Sequence, residues 1–165
     1  MVKTFVISSV VYFTYSAIKY WIENSEDNIT SPQVTAFKYL KKKGYIPQTI
    51  IENGNIVFVV GDWTFVYLNN KENKKLFSLA LPNIESVSDD TRLFWLELAN
   101  VNSERITCVK TLVNKDSVHV RYDRILTEKD EIKDILPRAI DALLYARENL
   151  YSMVQNINEE KINAK

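Results

Sequence analysis

The sequence predicts an α+β domain: an antiparallel sheet of about five strands, with its elements in the order α-β-β-β-α-β-β-α. Three observations predict it. Gly61-Asp62 stands between two runs rich in Val, Phe, Trp and Tyr. Asn114-Lys115-Asp116 stands between two runs in which apolar and polar residues alternate. Stretches with helical spacing follow Ser31, Ser88 and Thr127, each a residue type that caps helix N-termini.

The segment Thr4 to Ile18, TFVISSVVYFTYSAI, carries no charge and lies between Lys3 and Lys19. It is shorter than the roughly 20 apolar residues of a membrane-spanning helix. Continued to Ile22 it reaches that length, with Tyr20 and Trp21 placed as interface anchors. Two readings stand: an element docked on the domain, or an N-terminal anchor or signal. Glu23 to Thr30 is a polar linker. The expected organisation is therefore an apolar segment plus linker over 1–30, an α+β domain over 31–155 and a polar tail over 156–165.

Ser31-Pro32 opens a helix, with Ser31 as N-cap and Pro32 in the first helical position. Val34, Phe37 and Leu40 give it an apolar stripe, and Lys41, Lys42 and Lys43 suit the negative end of its dipole. The triple lysine reads as a solvated helix end rather than a phosphate or membrane patch. Gln48 to Glu52 reads as a short strand that Asn53-Gly54 turns into the next one. A two-residue Gly-Asp connection fits a type II′ turn, because glycine accepts positive φ at the first central position. That turn sets Val60 against Trp63, Phe58 against Phe65 and Ile56 against Tyr67, all on one face. Val57, Val59, Thr64, Val66 and Leu68 fall on the other. Leu76 to Leu81 makes a third strand that is expected to stop at Pro82.

Ser88, Asp89 and Asp90 start a second helix over about Asp89 to Val101. Leu93, Phe94, Trp95, Leu96, Leu98 and Ala99 cover much of its circumference, so it should touch two neighbours. Arg105 to Val113 and Ser117 to Leu126 form the second hairpin. Val109, Thr111 and Val113 face Val118, Val120 and Tyr122, while Lys110, His119, Arg121 and Asp123 take the solvated side. Thr127 and Asp130 resemble a capping box before the last helix. Pro137 is expected to divide a lead-in turn from a long segment striped by Ile140, Leu143, Leu144, Ala146, Leu150, Tyr151 and Val154. The tail from Asn156 is expected to fray.

Composition narrows the function. Of 165 residues, 46% are hydrophobic and 25% charged, and 21 basic residues balance 21 acidic ones at formal net charge +0. That balance gives no electrostatic case for a nucleic-acid partner. One cysteine, Cys108, allows no intrachain disulfide and implies no oxidising compartment. His119 is the only histidine, which excludes zinc sites of the usual N/S kind within one chain. Three glycines, each with a turn or cap to serve, leave no phosphate-cradling loop. A Ser-His-Asp arrangement would need His119 beside Asp123 on a strand face, and an exposed strand histidine is the plainer reading. Neither a catalytic residue nor a cofactor is expected. Trp63, Phe65 and Tyr67 resemble a base-stacking platform, but without basic surroundings they read as core.

The element order, with the wording GNIVFVVGDWTFVYL, LFSLALP, LANVNSE and LPRAIDALLYARENL, resembles the YbjN family of bacterial sensory transduction regulators. The similarity runs over roughly Ser31 to Gln155. The helix ending in Ala99-Asn100-Val101-Asn102 and the Leu136-Pro137-Arg138-Ala139 start of the last helix are its most recognisable pieces. The resemblance implies a fold similar to that of type III secretion chaperones, small dimeric proteins that hold partly unfolded clients. It implies no catalytic residue. The apolar start before Glu23 departs from the family pattern. The expected function is protein binding, chaperone-like or regulatory, with a client or a second copy of the chain as partner; the alternatives are a membrane-tethered version of the same domain anchored by residues 4–22, or an enzyme of unrecognised type. The expected location is the cytoplasm, or a membrane surface if residues 4–22 anchor the chain. The expected contact residues are Val57, Val59, Thr64, Val66 and Leu68, with Leu93, Phe94 and Trp95 at their edge.

Overall fold

The computed structural model describes residues 31–128 and 130–163. The readings of residues 1–30 lie outside the described residues. In chain order the elements are α1 (Pro32–Lys42), β1 (Gln48–Thr49), β2 (Ile56–Val60), β3 (Trp63–Tyr67), β4 (Leu76–Ser86), α2 (Arg92–Arg105), β5 (Val109–Val113), β6 (Ser117–Ile125) and α3 (Ile132–Asn163). The strands form one six-stranded sheet in the order β1-β2-β3-β4-β6-β5, with every neighbouring pair antiparallel. The strand expected over Gln48 to Glu52 is present but confined to Gln48–Thr49, which pairs with Val57 and Ile56 as a short edge.

Both hairpins take the register that their turn residues dictate. Val60 pairs with Trp63, Phe58 with Phe65 and Ile56 with Tyr67. Gly61 has φ +58°, and outside glycine only Asn83 and Cys108 have positive φ among the described residues. Positive φ at the first central position alone is the type II′ signature. In the second hairpin Val109 faces Tyr122, Thr111 faces Val120 and Val113 faces Val118.

The three helices of the described residues lie on one side of the sheet. The strand residues in the core are Ile56, Phe58, Phe65, Tyr67, Phe77, Leu79, Leu81, Val109, Val118, Val120 and Tyr122, which alternate along their strands and share one face. Against them pack Ala36 and Leu40 of α1, Trp95 and Leu98 of α2, and the α3 stripe Ile132, Ile135, Leu136, Ala139, Ile140, Leu143, Ala146 and Leu150. The three-and-four spacing of that stripe keeps one face of α3 on the sheet along most of its length. Phe58 stacks on Phe65 with ring centroids 5.6 Å apart, and Phe77 meets Tyr67 and Tyr122 edge-on at 5.3 and 6.0 Å.

Four expectations are corrected. First, β4 does not stop at Pro82 but runs on to Ser86. Leu81 pairs with Val120 and Glu85 with Val118, so Pro82, Asn83 and Ile84 stand against His119 alone. This bulge accommodates a residue without an N–H, and Asn83 takes the left-handed conformation at φ 53° that the bend requires. Second, α2 starts and ends later than expected. Ser88 closes a turn with Thr91 instead of capping the helix, its N–H bonding Thr91 Oγ1 at 3.0 Å. The helix continues to Arg105, and Cys108 at φ 64° makes the corner into β5, so residues 105–108 belong to no strand. Third, Pro137 does not divide α3, which is continuous over 32 residues. The intrahelical bond it forgoes would end on the carbonyl of Lys133, an exposed residue where water can substitute. Fourth, the segment after Asn156 continues α3 to Asn163.

Both sheet edges are blunted. β1 is two residues long. At the other edge the outward N–H of Thr111 donates to Ser103 Oγ at 2.8 Å, and that of Val109 to the Ile106 carbonyl at 3.3 Å. The end of α2 therefore takes up donors that would otherwise invite another strand.

Candidate functional site

Helices on one side leave the opposite face of the sheet without a covering element among the described residues. The register defines what it presents. One transverse row runs Gln48, Val57, Val66, Ala80, Arg121, Lys110 across all six strands. A second joins Val59 to Thr64 on one side of the bulge, and His119 to Leu112 beyond it. Leu68 lies beside Ser78, to whose carbonyl it donates at 2.9 Å, and Ser78 lies beside Asp123. The face is thus apolar on β2 and β3 and charged on β6 and β5. Val59 is 55% exposed, Thr64 is exposed, and Val57, Val66 and Leu68 are half-buried.

The charged half is mixed in sign. Asp123 Oδ1 accepts from Ser78 Oγ at 2.6 Å, and Oδ2 accepts from Arg121 Nε at 2.9 Å with Lys110 Nζ at 3.9 Å. Ser78, although polar and on this face, is buried. This cluster borders an open groove of about 550 Å³ that continues to Leu68, Asn69 and Glu72.

The eight expected contact residues do not form one surface. Val57, Val59, Thr64, Val66 and Leu68 lie together on the open face. Leu93, Phe94 and Trp95 do not join their edge: α2 packs on the helix side against β5, and β5 lies at the far end of the sheet from β2. Trp95 is core at 8% exposure, Phe94 is half-buried against it with ring centroids 5.4 Å apart, and Leu93 is 68% exposed. Helical geometry explains this. The broad apolar surface of α2 meets both β5 and α3, so its aromatic residues are consumed inside the domain.

Two arrangements were missed at the sequence level. Asn102, at 0% exposure, donates from Nδ2 to Thr111 Oγ1 at 2.8 Å and to the Ala146 carbonyl at 3.0 Å, and Asn149 Nδ2 donates to its Oδ1 at 2.7 Å. This one side chain ties α2, β5 and α3. Its signal was the spacing Trp95, Leu98, Asn102, which puts an asparagine on a buried helical stripe. The second is His119, which pairs with Ser117 rather than Asp123. Its Nε2 lies 2.9 Å from both Ser117 Oγ and Asn114 Nδ2. The Asn114 amide N–H can only donate, which makes Nε2 the acceptor of that pair, while the Ser117 hydroxyl proton is directed to Asp116. Burial pushes the His119 pKa below its ordinary value, and Asp116 opposes that shift. Asp116 Oδ1 accepts from Ser117 Oγ at 3.2 Å.

Two of the three clustered lysines lie over aromatic rings of their own helix, Lys41 over Phe37 at 5.4 Å and Lys43 over Tyr39 at 5.7 Å. Among the described residues no group of three or more His, Cys, Asp and Glu is placed to hold a metal ion. No helix among them is long and apolar enough to cross a membrane. No protein-family model matches the chain, and no curated protein does.

Proposed function

We propose that the chain is a non-catalytic protein-binding module, chaperone-like or regulatory, that takes a client polypeptide or a second copy of itself on the open face of its sheet. One observation carries the reading. The described helices all pack on one face, leaving Val57, Val59, Val66 and Leu68 contiguous on the other. Apolar patches of that kind mark contact sites more often than free surface. The charged half beside it supplies the polar rim that protein interfaces carry, with Asp123 already balanced by Arg121 and Lys110. The YbjN resemblance agrees in kind, since it implies a chaperone-like fold. A cytoplasmic location belongs to this reading and fits a chain with one cysteine.

The test is Val59→Glu combined with Val66→Lys, measured by light scattering and circular dichroism. Lower mass or lost client with an unchanged spectrum supports the reading. Outright unfolding would show that the face is internal core.

A further inference from the structure

Arg147 of α3 lies at the sheet end formed by the β2–β3 turn and the β4 bulge. Its guanidinium carbon is 3.8 Å from the Trp63 ring centroid and 4.5 Å from that of Tyr151. Its Nε is buried and bonds no protein atom. The ion pairs among the described residues belong to Lys110, Arg121, Arg124 and Lys133, and none to Arg147. Two aromatic rings thus cover part of a half-buried cation that pairs with no carboxylate among the described residues. Cation–π attraction offsets part of the cost of desolvation. An anion offsets more, because a guanidinium holds a carboxylate through two parallel charge-assisted bonds.

The surrounding groups narrow the choice of anion. Tyr151 donates its hydroxyl to the Ile84 carbonyl at 2.6 Å, with Glu85 Oε2 at 3.3 Å. Glu85 Oε1 accepts from the Ser86 N–H at 3.0 Å. Burial and Glu85 push the Tyr151 pKa up, while Arg147 pulls it down. A fixed negative charge beside the site disfavours a dianion such as phosphate more than a monoanion. We propose that Arg147, walled by Trp63 and Tyr151, anchors a carboxylate-binding site that takes an Asp or Glu side chain or a chain terminus from a ligand or partner. The site is separate from the open sheet face, since Trp63 points to the helix side and packs against the core.

The probe is acetate, titrated into the full-length ¹⁵N-labelled protein at constant ionic strength against chloride, with acetamide and inorganic phosphate as comparisons. The Arg147 Nε–H and Trp63 indole N–H signals should move saturably with acetate and not with acetamide. Arg147→Gln should abolish the Trp63 response. Glu85→Gln, which removes the competing charge and leaves Arg147 in place, should tighten acetate at least twofold. Equal, unsaturated shifts with acetate and chloride would mean an adventitious ion only and overturn the proposal. So would no shift, tighter binding of phosphate, or weaker acetate binding in Glu85→Gln.

Discussion

Asn102→Ala removes the one side chain that joins α2, β5 and α3. The structure sets the size of the loss. Three hydrogen bonds disappear, at 2.7, 2.8 and 3.0 Å. The Thr111 hydroxyl is buried and is left without this donor, and the half-buried Asn149 amide keeps only the weak acceptor Met153 Sδ at 3.7 Å. Leaving a buried polar group unsatisfied costs about 1–3 kcal/mol, and the Ala146 carbonyl keeps its helical partner. The three heavy atoms deleted from a fully buried site leave a small cavity that adds about 1 kcal/mol. Together these give about 3–4 kcal/mol, or a fall in Tm of about 10 °C for a domain of this size. Asn149→Ala removes the bond to Asn102 and a weak one to Met153 Sδ at a half-buried position and should cost about 1–2 kcal/mol. Urea unfolding of both single variants and of the pair measures the coupling. The single losses should exceed the double loss by about 1 kcal/mol, since both delete the same bond. An Asn102→Ala loss below about 1 kcal/mol, or strict additivity, would refute the claim that this network holds the three elements together.

Three further outcomes are expected. Gly54 has φ +74°, and a Cβ there would meet Asn69 Nδ2 at 2.7 Å, whereas Gly61 at φ +58° opens on free space. Gly54→Ala should therefore destabilise more than Gly61→Ala, for which about 1 kcal/mol of left-handed strain is the whole cost; equal losses in urea would show that Asn69 yields freely. His119 has a folded-state pKa below its unfolded value, so the unfolded chain takes up the proton first. Its contribution to stability is complete above the unfolded pKa of about 6.5 and is lost as pH falls below it. The stability gap between wild type and His119→Gln should shrink from pH 7.5 to 5, and a gap independent of pH contradicts the assignment. Ser103→Ala frees the outward Thr111 N–H at the β5 edge and should cost about 1 kcal/mol while promoting aggregation, read as turbidity on storage.

The hairpins were legible because their information is local. Gly61-Asp62 specifies one turn type, and strict alternation then fixes the face of every residue from Ile56 to Tyr67. The open face with Val57, Val59, Thr64, Val66 and Leu68 followed from the same alternation. What escaped depends on partners distant in sequence. Pro82 reads as a strand stop until β6 pairs on both sides of it and makes a bulge. Leu93, Phe94 and Trp95 read as a contact edge until the sheet order places β5, and α2 with it, far from β2. Asn102 reads as a polar residue near a helix end, and only α3 packing makes it an internal tie. Arg147 and Trp63 are 84 positions apart (147 − 63), beyond any periodicity rule.

The central claim is that the open sheet face is the contact surface. A quantitative pull-down from native lysate tests it with three baits in parallel: wild type, Val59→Glu/Val66→Lys, and Leu93→Glu. The last changes an exposed residue on α2, off the open face. Wild type and Leu93→Glu should retain the same protein in equal amount, and the sheet-face double variant should lose it while keeping its circular dichroism spectrum. Equal retention by the folded double variant, or loss confined to Leu93→Glu, would contradict the account.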